Sequence, residues 1–112
     1  MECIFCKIIN KEIPSEIVFE DDEFIAFKDV NPQAPVHILI IPKKHISSVN
    51  HVEIEDKTLM GELILVAQKI AREKNLAGYK LLINVGREGG QLINHLHLHL
   101  LSGLSHLKSL NI

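Results

Sequence analysis

A chain of 112 residues that is 46% apolar has the material for one domain around one core, and neither an internal repeat nor a low-complexity stretch divides residues 1–112. Its 12 basic and 14 acidic residues are interspersed, which leaves no cationic face for a polyanion such as DNA. No run approaches the roughly 18 apolar residues that span a bilayer, and Met1-Glu2-Cys3-Ile4-Phe5-Cys6 has neither a basic start nor a long apolar stretch, so the expectation is a cytoplasmic protein with no membrane or nucleic-acid partner.

Cys3 and Cys6 are spaced C-x-x-C, a pattern that serves either a redox pair or one half of a metal clip; a reducing compartment and distant histidines favour the clip. Ile17–Glu20 and Phe24–Asp29 are β-rich runs around Asp21-Asp22-Glu23 and read as a hairpin. Asn31-Pro32-Gln33-Ala34-Pro35 breaks the pattern, after which Val36-His37-Ile38-Leu39-Ile40-Ile41 reads as a buried strand that Pro42 ends. From Glu55 to about Lys74, the spacing of Leu59, Leu63, Val66, Ala67 and Ile70 predicts one long amphipathic helix. Gly78 follows, then Tyr79–Val85 as a strand, Gly86–Gly90 as a loop and His95–Leu101 as a last strand. Strands, then a helix, then strands again argue for an α+β fold.

The segment His95-Leu96-His97-Leu98-His99-Leu100-Leu101 is the most informative. On a strand, strict alternation turns three imidazoles to one face and the leucines to the core, with neighbouring histidines roughly 6.6 to 6.8 Å apart at Cα. Imidazoles titrate near neutral pH, so such a row offers a nucleophile, proton donors and metal ligands together.

His95-x-His97-x-His99 followed by Leu100-Leu101 resembles the signature of the histidine triad family of nucleotide hydrolases and transferases. Cys3–Ile9, Glu12-Ile13-Pro14-Ser15, Phe27-Lys28-Asp29-Val30, His37–Ile46 and Ile83–Gln91 match further landmarks in order, and the chain is similar to the bacterial nucleoside-phosphoramidase-like branch. The resemblance implies a five-stranded antiparallel sheet with one long helix and a short N-terminal helix. It also implies a purine nucleotide substrate and a nucleotidyl-histidine intermediate on His97, with His99 and His37 as proton donors. Asp29 would accept the ribose hydroxyls, Phe5, Ile8, Ile13, Phe27 and Val30 would form the base pocket, and Asn84 with Gly86–Gln91 would wall the phosphate. Asp29 also has the character of a turn-starting residue capping the Asn31-Pro32 loop.

In several bacterial relatives the pattern includes a structural Cys2His2 zinc site, which maps to Cys3, Cys6, His45 and His95. Leu92 stands where many members of the branch have a serine or threonine on the phosphate, and Val85 and Asn94 differ as well. Leu101-Ser102-Gly103-Leu104-Ser105-His106 lacks the usual glycine-glycine-arginine turn. Two other readings compete: a nucleotide-binding regulatory protein with little turnover, and a hydrolytic metal centre made of the three histidines themselves. The family also implies a homodimer, with Ile64, Leu65 and the strand ending at Val85 as candidate surface.

Overall fold

A computed structural model describes residues 3–105 of the chain. The hairpin forms because Asp21 accepts the backbone N–H groups of Glu23 and Phe24 at 2.8 and 2.7 Å, which turns β1 (Ile17–Glu20) back into β2 (Phe24–Lys28). Beside β2 runs β3 (Val36–Pro42), whose register pairs Phe24 with Pro42 and Lys28 with Ile38. With β4 (Lys80–Leu82) and β5 (Leu98–Ser102), all paired antiparallel, the sheet has the order β1-β2-β3-β5-β4.

Alternation along the central strands gives the sheet two dry faces. Ile38 and Ile40, with Phe24, Ala26, Leu98 and Leu100, meet Leu63, Val66, Ala67 and Ile70 of the long helix α2 (Lys57–Glu73). Leu39 and Ile41, with Ile25 and Phe27, meet Phe5 and Ile8 of the short helix α1 (Ile4–Ile9). Burying each of the larger of these side chains stabilises the fold by about 1.5–3 kcal/mol. His37, His97 and His99 lie on the α1 side.

Three elements differ most from the sequence expectation. Residues 54–56 form a single 3-10 turn, in which Asp56 accepts the Glu53 N–H at 3.0 Å and holds Lys44 at 2.6 Å, so α2 begins at Lys57. The helix ends as the chain turns through Asn75 at φ 56°, a left-handed position that asparagine tolerates. The final strand spans Leu98–Ser102 rather than 95–101, because the N–H of His95 is spent on Ile93 O and that of Leu96 on Ile46 O. Without a ladder partner there, β4 covers only Lys80–Leu82 of the expected 79–85. Leu96, Leu98 and Leu100 nevertheless all point into the core as the alternation predicts. Among the described residues no helix is long and apolar enough to cross a membrane. Ile64 and Leu65 stay exposed on the outer side of α2, and His106 lies outside the described residues.

Candidate active site

A cavity of about 520 Å³ opens on the α1 side of the sheet. Phe5, Ile8, Ile13, Phe27 and Leu39 give it an apolar wall; Asp29, His37, His97, His99 and Gly90 give it a polar one. Phe5 bridges the two, with its ring edge-on to Phe27 at 5.5 Å and to His97 at 5.2 Å. His97 and His99 sit 5.0 Å apart between ring centroids, and His99 is 5.2 Å from His37 across the β3–β5 pair. The row of three is thus divided: His97 and His99 line the cavity, while His95 turns away from it into full burial.

Hydrogen bonding fixes the tautomers. The His95 carbonyl lies 2.7 Å from His97 Nδ1; a carbonyl only accepts, so the proton is on Nδ1 and the lone pair is on Nε2. The backbone N–H of Gln33 donates to His37 Nδ1 at 3.0 Å, so neutral His37 has its proton on Nε2. That Nε2–H faces His99 Nδ1 at 2.9 Å and Asp29 Oδ2 at 3.3 Å. His99 therefore accepts at Nδ1 and keeps a proton on Nε2. Asp29, His37 and His99 cluster closely enough to suggest a metal, but a His37 Nε2 that has a proton has no lone pair for an ion. The trio forms a hydrogen-bonded chain, and a metal centre made of His95, His97 and His99 lacks a geometric basis for a separate reason: His95 turns away from the cavity that the other two line.

Burial keeps these imidazoles neutral. Desolvation is the largest influence on His37, His97 and His99, and it holds all three below the ordinary histidine range, His99 at about 4. The Asp29 carboxylate opposes the shift in each. Asp29 combines both sequence readings: Oδ1 caps the following turn by accepting the Asn31 N–H at 2.8 Å, while the group lines the cavity.

The carbonyl of Pro42 accepts from His95 Nε2 at 2.8 Å, which leaves His95 Nδ1 bare and aimed at Cys3 Sγ (3.4 Å), Cys6 Sγ (3.7 Å) and His45 Nδ1 (3.1 Å). Cys6 Sγ lies 3.4 Å from His45 Nδ1. A tetrahedral zinc with bonds of about 2.0–2.3 Å sets neighbouring ligands roughly 3.3–3.8 Å apart, and the four separations of 3.1–3.7 Å come within about 0.2 Å of that range. Two imidazole nitrogens facing each other need a cation or a proton between them, a second point in favour of the fit. Burial, followed by the neighbouring Cys3 thiol, raises the Cys6 thiol to about 11.

The model of the scavenger mRNA decapping enzyme C-terminal binding family matches residues 2–111. A purine nucleoside phosphoramidase of Escherichia coli is 52% identical over 104 residues, covering 91% of this chain and 87% of that protein. The chain belongs to the histidine triad family. Among solved structures, a HIT family hydrolase from Legionella pneumophila has a TM-score of 0.89 at 49% identity, covering 91% of this chain and 93% of that one. Another from Clostridium thermocellum reaches 0.91 at 43%, covering 97% and 96%.

Other residues matched to the histidine triad pattern fall in two groups. Val30 and Gly90 line the cavity, whereas Asn84 and Gln91 are not among its lining residues. Asn84 donates to Gly89 O at 2.8 Å. Gln91, buried, donates to Ser47 O and Ile93 O and accepts from Gly86 N–H, tying three segments together. The loop wraps through Gly86 at φ 70° and Gly90 at φ 85°, where a side chain would be strained. Leu39 and Gln33 also line the cavity, although the sequence reading did not single them out. Leu39 lies two residues beyond His37, so strand alternation was the available signal; the Gln33 contact is made by backbone and leaves no residue-type signature.

Proposed function

We propose that this protein hydrolyses nucleoside phosphoramidates, purine ones in particular, or related mononucleotide derivatives through a nucleotidyl-histidine intermediate on His97. The observation that carries this reading is the 2.7 Å contact between His97 Nδ1 and the His95 carbonyl, because it leaves the Nε2 lone pair free in a cavity of nucleotide size. The E. coli relative's name, purine nucleoside phosphoramidase, supports the substrate class.

In the first step His97 Nε2 bonds to phosphorus as the P–N bond breaks. The departing amine takes a proton from His99 Nε2, and the His37–His99 pair supplies it. A bound phosphate anion favours an extra proton on that pair, with Asp29 Oδ2 3.3 Å from His37 Nε2 as countercharge. In the second step water gives its proton to His99, its oxygen bonds to phosphorus and the Nε2–P bond breaks, which restores the resting state. Phe5, Ile8, Ile13 and Phe27 receive the base by stacking and burial. Asp29 takes the ribose hydroxyls on the lone pairs that its turn cap leaves free.

Cys3, Cys6, His45 and His95 would hold a zinc ion, which cross-links the start of the chain to the sheet and takes no part in the reaction. We extend the reading to a homodimer in the cytoplasm. Leu92, exposed at the cavity where the branch pattern has a hydroxyl, favours a second reading: a nucleotide-binding regulatory protein with slow turnover.

Mass spectrometry of a rapidly quenched reaction with adenosine phosphoramidate should find a nucleotidyl adduct on His97. His97→Ala should lower turnover by at least about 10³-fold, the loss of a nucleophilic route. An adduct without steady-state turnover would select the regulatory reading. Turnover that survives His97→Ala would overturn the mechanism.

A further inference from the structure

The loop 29–35 joins β2 to β3, and three contacts pin it. Asp29 Oδ1 accepts the Asn31 N–H at 2.8 Å, the Gln33 side chain donates to Asn31 O at 3.1 Å, and Pro35 packs against Gly103. The last contact follows from register, because Val36 pairs with Ser102 at the ends of β3 and β5 and so sets Pro35 beside Gly103. Gly103 has φ 86°, a left-handed backbone, and a Cβ added there would lie 2.8 Å from Pro35 Cγ. Glycine is what lets the proline come so close. A cavity opens on each side of the loop: Asn31 and Gln33 line the catalytic one, Pro32 and Pro35 a second of about 230 Å³. The pins therefore matter more to its position than a packed core does.

What the pinned loop offers the histidines is one group, the Gln33 backbone N–H, 3.0 Å from His37 Nδ1. We propose that this N–H, seated by the Pro35–Gly103 contact, is the positioning group of the general acid: it sets the direction of the His37–His99 proton chain and so keeps a proton on His99 Nε2 for the leaving amine. The proposal deepens the hydrolase reading and rests on it. His37 Nε2 and His99 Nδ1 lie 2.9 Å apart, and the proton between them can belong to either ring. If it belongs to His37, neutral His99 has its own proton on Nε2. In the reverse arrangement His37 has its proton on Nδ1, its Nε2 accepts from His99 Nδ1–H, and His99 Nε2 is bare. A departing amine then finds no donor there. The Gln33 N–H forbids that arrangement, since two N–H groups would face each other. Asp29 Oδ2 favours the same tautomer over a longer contact, 3.3 Å from His37 Nε2.

The test replaces the amide of residue 33 by an ester, with the α-hydroxy analogue of glutamine incorporated at that position, which keeps the side chain and removes the N–H. Nitrogen NMR of ring-labelled histidine in the resting protein should show His37 and His99 protonated at Nε2 in the wild type, and forms protonated at Nδ1 in the ester. Single-turnover transfer to His97 is then measured with two substrates. An adenosine 5′-phosphoramidate of propylamine needs a proton on its leaving nitrogen; the p-nitrophenyl ester of AMP releases a stable anion and needs none. A buried acceptor that loses its donor shifts such an equilibrium by roughly tenfold or more, so the phosphoramidate should slow by at least about tenfold and the nitrophenyl ester by less than about threefold. Gly103→Ala should move both readouts in the same direction, and Pro35→Ala in that background, which removes the Cγ that the new Cβ meets, should restore them in part. Taking the ratio of substrates within each protein cancels a common loss of folded enzyme. If neither substrate reacts with the wild type but the tautomers change as expected, the hydrolase reading fails and the control of the proton chain by the loop stands. Unchanged tautomers in the ester, or equal slowing of both substrates, overturn the proposal even when wild-type turnover is fast.

Discussion

His97 can attack phosphorus only as a neutral imidazole with Nε2 bare, and two observations hold it so. The His95 carbonyl selects the tautomer, and burial, the largest influence, lowers the proton affinity of the ring against the pull of the Asp29 carboxylate. Because the neutral form then persists below the ordinary histidine value of 6.5, the acid limb of kcat/KM should fall at a pH below 6.5. A profile with its limb at or above 6.5 would mean that the nucleophile is not the buried imidazole. Asp29→Asn tests the opposing influence. The amide oxygen can still accept the Asn31 N–H, so the turn survives, but the charge is gone and the acid limb should move to still lower pH. Losing a charged acceptor for the ribose costs about 1.5–3 kcal/mol, a roughly 10- to 100-fold fall in kcat/KM. The preference for ribose over 2′-deoxyribose should narrow in the same variant, and this comparison separates sugar recognition from the electrostatic effect.

At the scale of elements, α1 is six residues long, too short to persist without tertiary anchors, yet it supplies Phe5 and Ile8 to the cavity wall. Its packing against Ile25, Phe27 and Leu39 is one anchor and the Cys3–Cys6–His45–His95 cluster is the other. Metal analysis should therefore find one zinc per chain. Cys6→Ser or exhaustive chelation should raise the Kd for a nucleoside monophosphate by about tenfold while helix α2, on the other face, keeps its far-UV circular dichroism. A chain that lacks zinc and binds as tightly after Cys6→Ser would show that packing alone seats α1. Much of this arrangement was legible beforehand. The alternating leucines of 96–100 gave the core side of the last strand, and the 3.6-residue spacing of Leu63, Val66, Ala67 and Ile70 gave α2 to within two residues. The two-residue spacing of the histidines could not show that His95 leaves the row, because that depends on where distant groups lie. Its backbone and its ring are claimed by Ile93 O and Pro42 O, and an extended reading of 95–101 has no means of including those partners. Asn84 and Gln91 entered the reading through the family resemblance, because residue type alone does not tell an amide that meets a phosphate from one that holds a loop.

Across the whole molecule, the fold keeps His37, His97 and His99 uncharged in its interior, and this couples stability to pH. All three are held below 6.5 in the folded state, so the unfolded chain binds more protons once the pH drops beneath that value. Stability should be fully present above about pH 7 and should decline as the pH falls from 6.5 toward the folded value, about 4 for His99. Carboxylates held low by lysine partners, such as Glu20 and Asp56, lose stability in the same direction, so a falling Tm alone does not single out the histidines. His99→Gln separates them, because glutamine does not titrate. Its Tm at pH 7.5 will be lower, since the contact with His37 is altered, but the loss between pH 7.5 and 5 should be smaller than in the wild type by about 1 kcal/mol, or roughly 4 °C for a domain of this size. A nucleotide should flatten the wild-type curve as well, because its phosphate anion compensates the charge that acid places on the histidines. Parallel curves for wild type and variant would show that His99 is as easily protonated in the fold as outside it, and the neutral proton chain next to the nucleophile would then have no basis.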